Sequence, residues 1–126
     1  MSQAFNAQRG LILIPAALEG PSGTVLLRLA LDTGATDTLI GSGALAGVGY
    51  GPAQTSTHVR ANTAGGTVSM SRLTVLRLKA LGQERTGLPV LAHSLPGMTF
   101  DGLLGLDFFR GQTLTIDFRA GQVSLS

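Results

Sequence analysis

Cysteine and tryptophan are both absent from this chain of 126 residues. Without cysteine there is no disulfide and no thiolate metal site, so packing and hydrogen bonds must hold the fold. The lack does not identify a compartment, because cytosolic and secreted chains can both do without it. Aromatic residues make up only 5% of the chain, so its core has to be aliphatic, built from Leu, Val and Ile. Charge is scarce as well, with nine basic against seven acidic residues and a net charge of +2. The basic residues Arg9, Arg28, Arg60, Arg72, Arg77, Lys79, Arg85, Arg110 and Arg119 are scattered. No basic run is interleaved with aromatics, which argues against a nucleic-acid partner. No apolar run approaches the ~20 residues needed to cross a bilayer: the stretch at 11–14 is cut short by Pro15 and Glu19. The first residues do not read as a signal peptide. The chain as given is therefore expected to be soluble and cytoplasmic with no membrane partner, whether whole or excised from a larger or membrane-anchored protein.

What is abundant is glycine, 18 residues against 5 prolines. Glycines spread among Val, Leu, Ile and Thr predict an all-β domain with many tight turns, and the length fits a single domain spanning residues 1–126. Strands are expected at 10–18 and 24–31 around a turn at 19–23. A loop follows over 41–52, with a helical turn at 42–46. Two longer strands, 55–61 and 67–81, flank Asn62-Thr63-Ala64-Gly65-Gly66, a hairpin signal because Gly-Gly supplies the positive φ of a tight turn. A short buried strand at 87–91, a loop at 93–99, a strand at 100–104 and a helix at 106–110 come next. Strands at 113–118 and 122–125 close the chain as a hairpin. The apolar segments at 11–14 and 122–125 are expected to be exposed edge strands.

The most informative run is Leu31-Asp32-Thr33-Gly34-Ala35-Thr36-Asp37-Thr38-Leu39-Ile40. A carboxylate followed by Thr and Gly between apolar flanks reads as a strand that breaks into a tight loop and returns to a strand. Gly34 lets the backbone turn so that the following amides can point at the Asp32 carboxylate. An acid is thereby placed on a rigid scaffold within reach of a substrate. The second informative run is Phe100-Asp101-Gly102-Leu103-Leu104-Gly105-Leu106-Asp107-Phe108-Phe109-Arg110, an apolar strand meeting Gly105 and a short helix. His58 and His93 have neither a partner at helical spacing nor a carboxylate context, so they read as surface or loop residues and no metal site is expected.

Together the segments Leu31-Asp32-Thr33-Gly34-Ala35 and Leu103-Leu104-Gly105 resemble the two marks of the retropepsin-like aspartic proteases, in the wording of their cellular and bacterial branch. The resemblance implies an acid-protease barrel with a flap hairpin and one short helix near the C-terminus. It implies an aspartic endopeptidase in which Asp32 is catalytic, Thr33, Gly34 and Ala35 support its loop, and Leu103, Leu104 and Gly105 support the site structurally. The hairpin at Thr63, Ala64, Gly65 and Gly66 falls where this family places its flap. Asp37 either faces the substrate groove or braces its own loop. Hydrolysis by carboxylates needs two of them close together, one charged and one protonated. This chain has one Asp-Thr-Gly, so the second Asp32 is expected from another copy in a homodimer with two-fold symmetry. Terminal strands interleave across the dimers of such relatives. The substrate implied is an extended polypeptide, and no cofactor is implied because water is the nucleophile. A non-catalytic module that keeps this fold for dimerisation or peptide binding is the alternative. Asp101 is read as a turn residue and Asp107 as a helix-start residue.

Overall fold

The computed structural model describes residues 2–126, apart from the side chains of Ser56, Ala61 and Thr63. Among the described residues there are ten strands. β1 (Ser2–Ala4), β2 (Leu13–Gly20) and β3 (Gly23–Leu31) come first, then β4 (Leu39–Gly41) and the helix α1 (Ser42–Gly47). After a short 3-10 turn come β5 (Thr55–Thr63), β6 (Gly66–Ala80), β7 (Gln83–His93) and β8 (Gly102–Leu104). The helix α2 (Leu106–Phe109), β9 (Leu114–Asp117) and β10 (Gln122–Leu125) complete the chain.

The order β2-β3-β8-β4-β7-β6 closes on itself through pairing of β6 with β2, giving a six-stranded barrel with β5 added outside on β6. Closure removes sheet edges, and the interior is aliphatic as the composition requires. Ile14, Leu18, Leu29, Ile40, Val75, Leu78, Val90 and Leu104 are all fully buried. Phe108 of α2 plugs the same core, and Arg85 stacks over its ring at 4.7 Å while donating to its carbonyl.

The all-β barrel, the hairpin and the short helix agree with the sequence reading; several boundaries do not. The expected strand at 87–91 is the far half of β7, which begins at Gln83 after a two-residue turn at Leu81 and Gly82, both at positive φ. Gly87, at φ +66, interrupts the ladder inside that strand. Opposite it the Leu76 amide leaves the sheet and donates to the Tyr50 hydroxyl at 2.8 Å. The burial phase of β6 shifts at the same place, from Leu73 and Val75 to Leu78 and Ala80. A glycine that marks this irregularity therefore reads in sequence as the start of a strand.

The ends of the chain require a second correction. β10 is not an edge strand: it lies between β1 and β9, antiparallel to both. Val123 and Leu125 are buried in the main core. β1 was not expected at all, since Ser2-Gln3-Ala4 carries no strand signal and forms because it completes the ladder on β10.

Candidate active site

The local fold around Asp32 follows from where β8 goes. It runs parallel to β3, pairing Leu29 with Gly102 and Leu31 with Leu104, and antiparallel to β4, pairing Leu39 with Leu103. β8 thus threads between the two arms of the loop that carries Asp32. Gly102 permits this approach, since a Cβ there would collide with the Leu39 carbonyl. A Cβ on Gly105 would lie 2.7 Å from the Asp37 carbonyl carbon and 2.9 Å from the Ala35 oxygen. The Leu-Leu-Gly segment is therefore the strut on which the acid loop rests.

The loop is pinned from several directions. The Asp32 amide donates to the Leu104 carbonyl at 3.0 Å and the Leu31 amide to that of Ile12 at 2.8 Å. Within the loop, the Gly34 amide donates to Asp32 Oδ1 at 2.9 Å, and the Ala35 amide to the Asp32 carbonyl at 3.2 Å. One carboxylate oxygen is thus fixed by a backbone donor, as the Asp-Thr-Gly wording predicted. Past the loop, the amides of Leu106 and Asp107 donate to the carbonyls of Ala35 and Thr36. Thr33 and Gly34 are exposed at the surface.

Thr38 is the one polar side chain of the described residues that is wholly buried. Its hydroxyl donates to Asp107 Oδ1 at 2.7 Å and accepts from the Gly105 amide at 3.1 Å. The Thr38 amide is shared between both Asp107 oxygens at 3.0 Å. Asp107 does sit in the first turn of α2. Its structural weight, however, lies in tying α2 to the strand leaving the acid loop, because four residues make too short a helix for much of a dipole. Asp101 is likewise more than a turn residue. Its carboxylate accepts the Arg28 amide at 2.8 Å and its carbonyl accepts the Gly41 amide, while the Arg28 guanidinium holds the Thr99 carbonyl. Neither role carries a local sequence signal, since both partners are distant along the chain.

Asp32 borders a groove of about 570 Å³. Its acid-loop wall is made by Gly34 to Asp37, its floor by Leu39, Leu91 and Leu103, and its other wall by Val59, Met70 and Arg72 of the β5–β6 hairpin. Asp37 forms an ion pair with Arg72 at 3.6 Å, so it faces the groove and also braces the hairpin. The hairpin turn itself is only Ala64 and Gly65, with Gly66 at φ +115 opening β6. Asn62 and Thr63 belong to β5, and the Thr63 side chain lies outside the described residues. Ala64, Gly65 and Gly66 are exposed and do not line the groove; Arg60 and Asn62 do.

A second crevice of about 400 Å³ lies behind the hairpin, between α1 and the β5–β6 arm. His58 Nδ1 and Ser71 Oγ meet there at 3.4 Å, a long contact, and no carboxylate lines the crevice to orient the ring. It has no hydrolytic triad. His93 ends β7 on the barrel, apart from any acid cluster. Among the described residues no group of three or more His, Cys, Asp or Glu side chains could hold a metal ion. No described helix is long and apolar enough to cross a membrane.

With the acid loop, its strut and its groove in place, the comparisons are decisive. The model of a family described as aspartyl protease matches residues 14–108, from the second strand through the strut to α2. The chain belongs to the aspartyl protease family. Its fold is the retropepsin-like one. A retropepsin-like aspartic protease from Rickettsia conorii superposes with a TM-score of 0.73 over 99% of this chain and 88% of that one, at 19% sequence identity. At that identity the likeness establishes architecture alone. No curated protein matches the chain.

Proposed function

We propose that this aspartyl protease family member is an endopeptidase that hydrolyses extended polypeptide segments, with Asp32 of two copies forming the catalytic dyad of a homodimer. The observation that carries the reading is the Asp32 carboxylate beside the groove, with one oxygen held by the Gly34 amide. One charged Asp32 would deprotonate a water held between the pair. The other, protonated, would donate to the scissile carbonyl oxygen as the tetrahedral intermediate forms. The pair would share a proton because two carboxylates at such separation resist double ionisation; aspartic proteases are the standard illustration of this effect. One chain offers one such loop, so the second acid must come from a second copy. The exposure of Thr33 and Gly34 on the isolated chain is consistent with burial of that loop against its twin.

Thr33, Gly34 and Ala35 shape the loop, while Leu103, Leu104 and Gly105 support it from below. Asp37 stands at the groove wall, and the hairpin with its tip at Ala64, Gly65 and Gly66 would close over a bound strand and exclude water. Substrate would lie extended, bonded through its backbone, with apolar side chains on the apolar floor. Asp32→Asn tests the reading. It keeps the size and the Oδ1 acceptor but removes the base, so cleavage of an unstructured protein should fall by several orders of magnitude while the fold persists. Undiminished cutting by a folded Asp32→Asn protein contradicts the proposal. A parent protein that binds peptides but cuts none would favour the non-catalytic module.

A further inference from the structure

The hairpin that walls the groove has a second face, and behind it lies the crevice of about 400 Å³. Alternate side chains of a strand point to opposite sides, and residues paired across a ladder share a side. Val59 pairs with Met70, and both line the groove. One step along, His58 pairs with Ser71, and both line the crevice. β7 repeats the pattern beside them, with Leu91 on the groove and Ala92 on the crevice. A single sheet layer thus separates the two cavities.

That layer is anchored at its base. The ladder between β6 and β7 ends at Ser71 and Ala92, whereas β5 and β6 stay paired as far as Thr63 and Gly66. Beyond Ser71 the arm is a two-stranded ribbon, which is marginal on its own. Near the base the register of β5 shifts between Thr55 and Thr57, an irregularity at which a strand bends. Asp37 and Arg72 tie the arm to the acid loop at 3.6 Å, but at 31 and 30% exposure that ion pair is a weak tether. The crevice floor is apolar, formed by the buried Leu45, Tyr50 and Leu73, and its far wall is α1 through Ser42 and Ala46. Among the described residues no Asp, Glu, Lys or Arg lines it, so an arm settling into it desolvates no charge.

We propose that the crevice is the space into which the hairpin withdraws when a polypeptide enters the groove, so that bulk held in the crevice keeps the groove narrow. A shared wall makes the coupling reciprocal: what widens one cavity narrows the other. This regulation rests on the reading of the groove as the substrate site, and the test separates the two.

The chain has no cysteine, so Val59→Cys places a unique thiol in the groove. Its rate of modification by a neutral maleimide reports access to the groove without any catalysis. Ala46→Phe and Ser42→Phe add bulk to the crevice from α1. Ala120→Phe, on an exposed turn that lines neither cavity, is the control. Folding of each variant is checked by its urea midpoint. Bulk on α1 should slow modification about fivefold, the lower end of ordinary coupling between sites, and Ala120→Phe should leave it unchanged. His58→Ala empties part of the crevice at an exposed residue; it should speed modification, and it carries the test if neither α1 variant folds. In chains that keep Val59, the same changes should move the cleavage of an unstructured protein in the same directions. Modification unchanged in a folded α1 variant or in His58→Ala, or slowed as much by Ala120→Phe, would overturn the proposal. So would cleavage that holds at the parent rate while modification slows. If modification responds as expected and the parent cuts nothing, the coupling of the cavities stands and the peptidase reading falls. If the parent cuts and modification does not respond, the reverse holds.

Discussion

At the scale of single residues, the difference between Asp32 and Asp107 is one of what each carboxylate faces. Asp32 borders a groove and has one oxygen on a backbone amide; Asp107 satisfies a fully buried threonine. Removing the Asp107 carboxylate would orphan the Thr38 hydroxyl and amide, each costing about 1–3 kcal/mol. Asp107→Ala should therefore lower the urea midpoint strongly and disturb the acid loop. Asp107→Asn keeps a carbonyl acceptor and should remain folded, with most of its activity if the protein is a peptidase. Similar midpoints for the two variants would show that the Thr38 network carries little. The loop that holds Asp32, with a backbone amide on its carboxylate, is readable because Thr-Gly follows it immediately. The Asp107 role is not, because its partner lies 69 positions away. The same holds for Asp37 and Arg72, which only the fold brings together.

Tyr50 offers a test with a pH axis. Its buried hydroxyl donates to the Glu19 carbonyl at 2.5 Å and accepts from the Leu76 amide. Burial pushes the phenol above its ordinary 10.0; the Leu76 bond opposes this and the Glu19 charge adds to it. A folded-state value raised above the unfolded one means that the stabilisation is complete below about 10 and is lost as pH rises through the folded value. Tyr50→Phe should cost about 1–3 kcal/mol at neutral pH. It should also flatten the loss of stability in the alkaline range, as followed by urea unfolding at stepped pH. An unchanged alkaline slope would remove Tyr50 from that account.

At the scale of elements, hairpins with glycine at their turns were legible, and so was the strand–loop–strand unit around Asp32. The β8 strut was legible as a motif, yet its insertion between β3 and β4 was not, because parallel pairing across more than seventy residues leaves no periodic trace. The missed start of β7 and the missed β1 share a cause: local signals, a mid-strand Gly87 and a polar N-terminus, were overridden by ladder partners. The position of β10 also changes what truncation should do. With Val123 and Leu125 in the main core, deleting residues 122–126 should unfold or grossly destabilise the chain, since a buried aliphatic side chain is worth about 1.5–3 kcal/mol and β1 and β9 lose their ladder. A truncated protein that keeps a cooperative transition near the parent's midpoint, and loses only self-association, would put β10 back at an interface.

At the scale of the whole molecule, one chain supplies a closed barrel, one acid loop and a groove bordered by the one Asp-Thr-Gly carboxylate. Carboxylate catalysis of hydrolysis calls for two, and the chain contains no second Asp-Thr-Gly, so assembly and activity should be inseparable. The measurement that tests this most directly mixes parent protein with Asp32→Asn. The two are unfolded together and refolded at fixed total concentration, so that subunits pair at random. Cleavage rate is then followed against the fraction of parent chains. If the dyad spans two copies and a mixed pair is inactive, activity follows the square of that fraction, and an equal mixture retains about a quarter of the parent rate. Activity that falls in direct proportion to the parent fraction, with about half remaining in the equal mixture, would mean that one chain catalyses alone and would contradict the account.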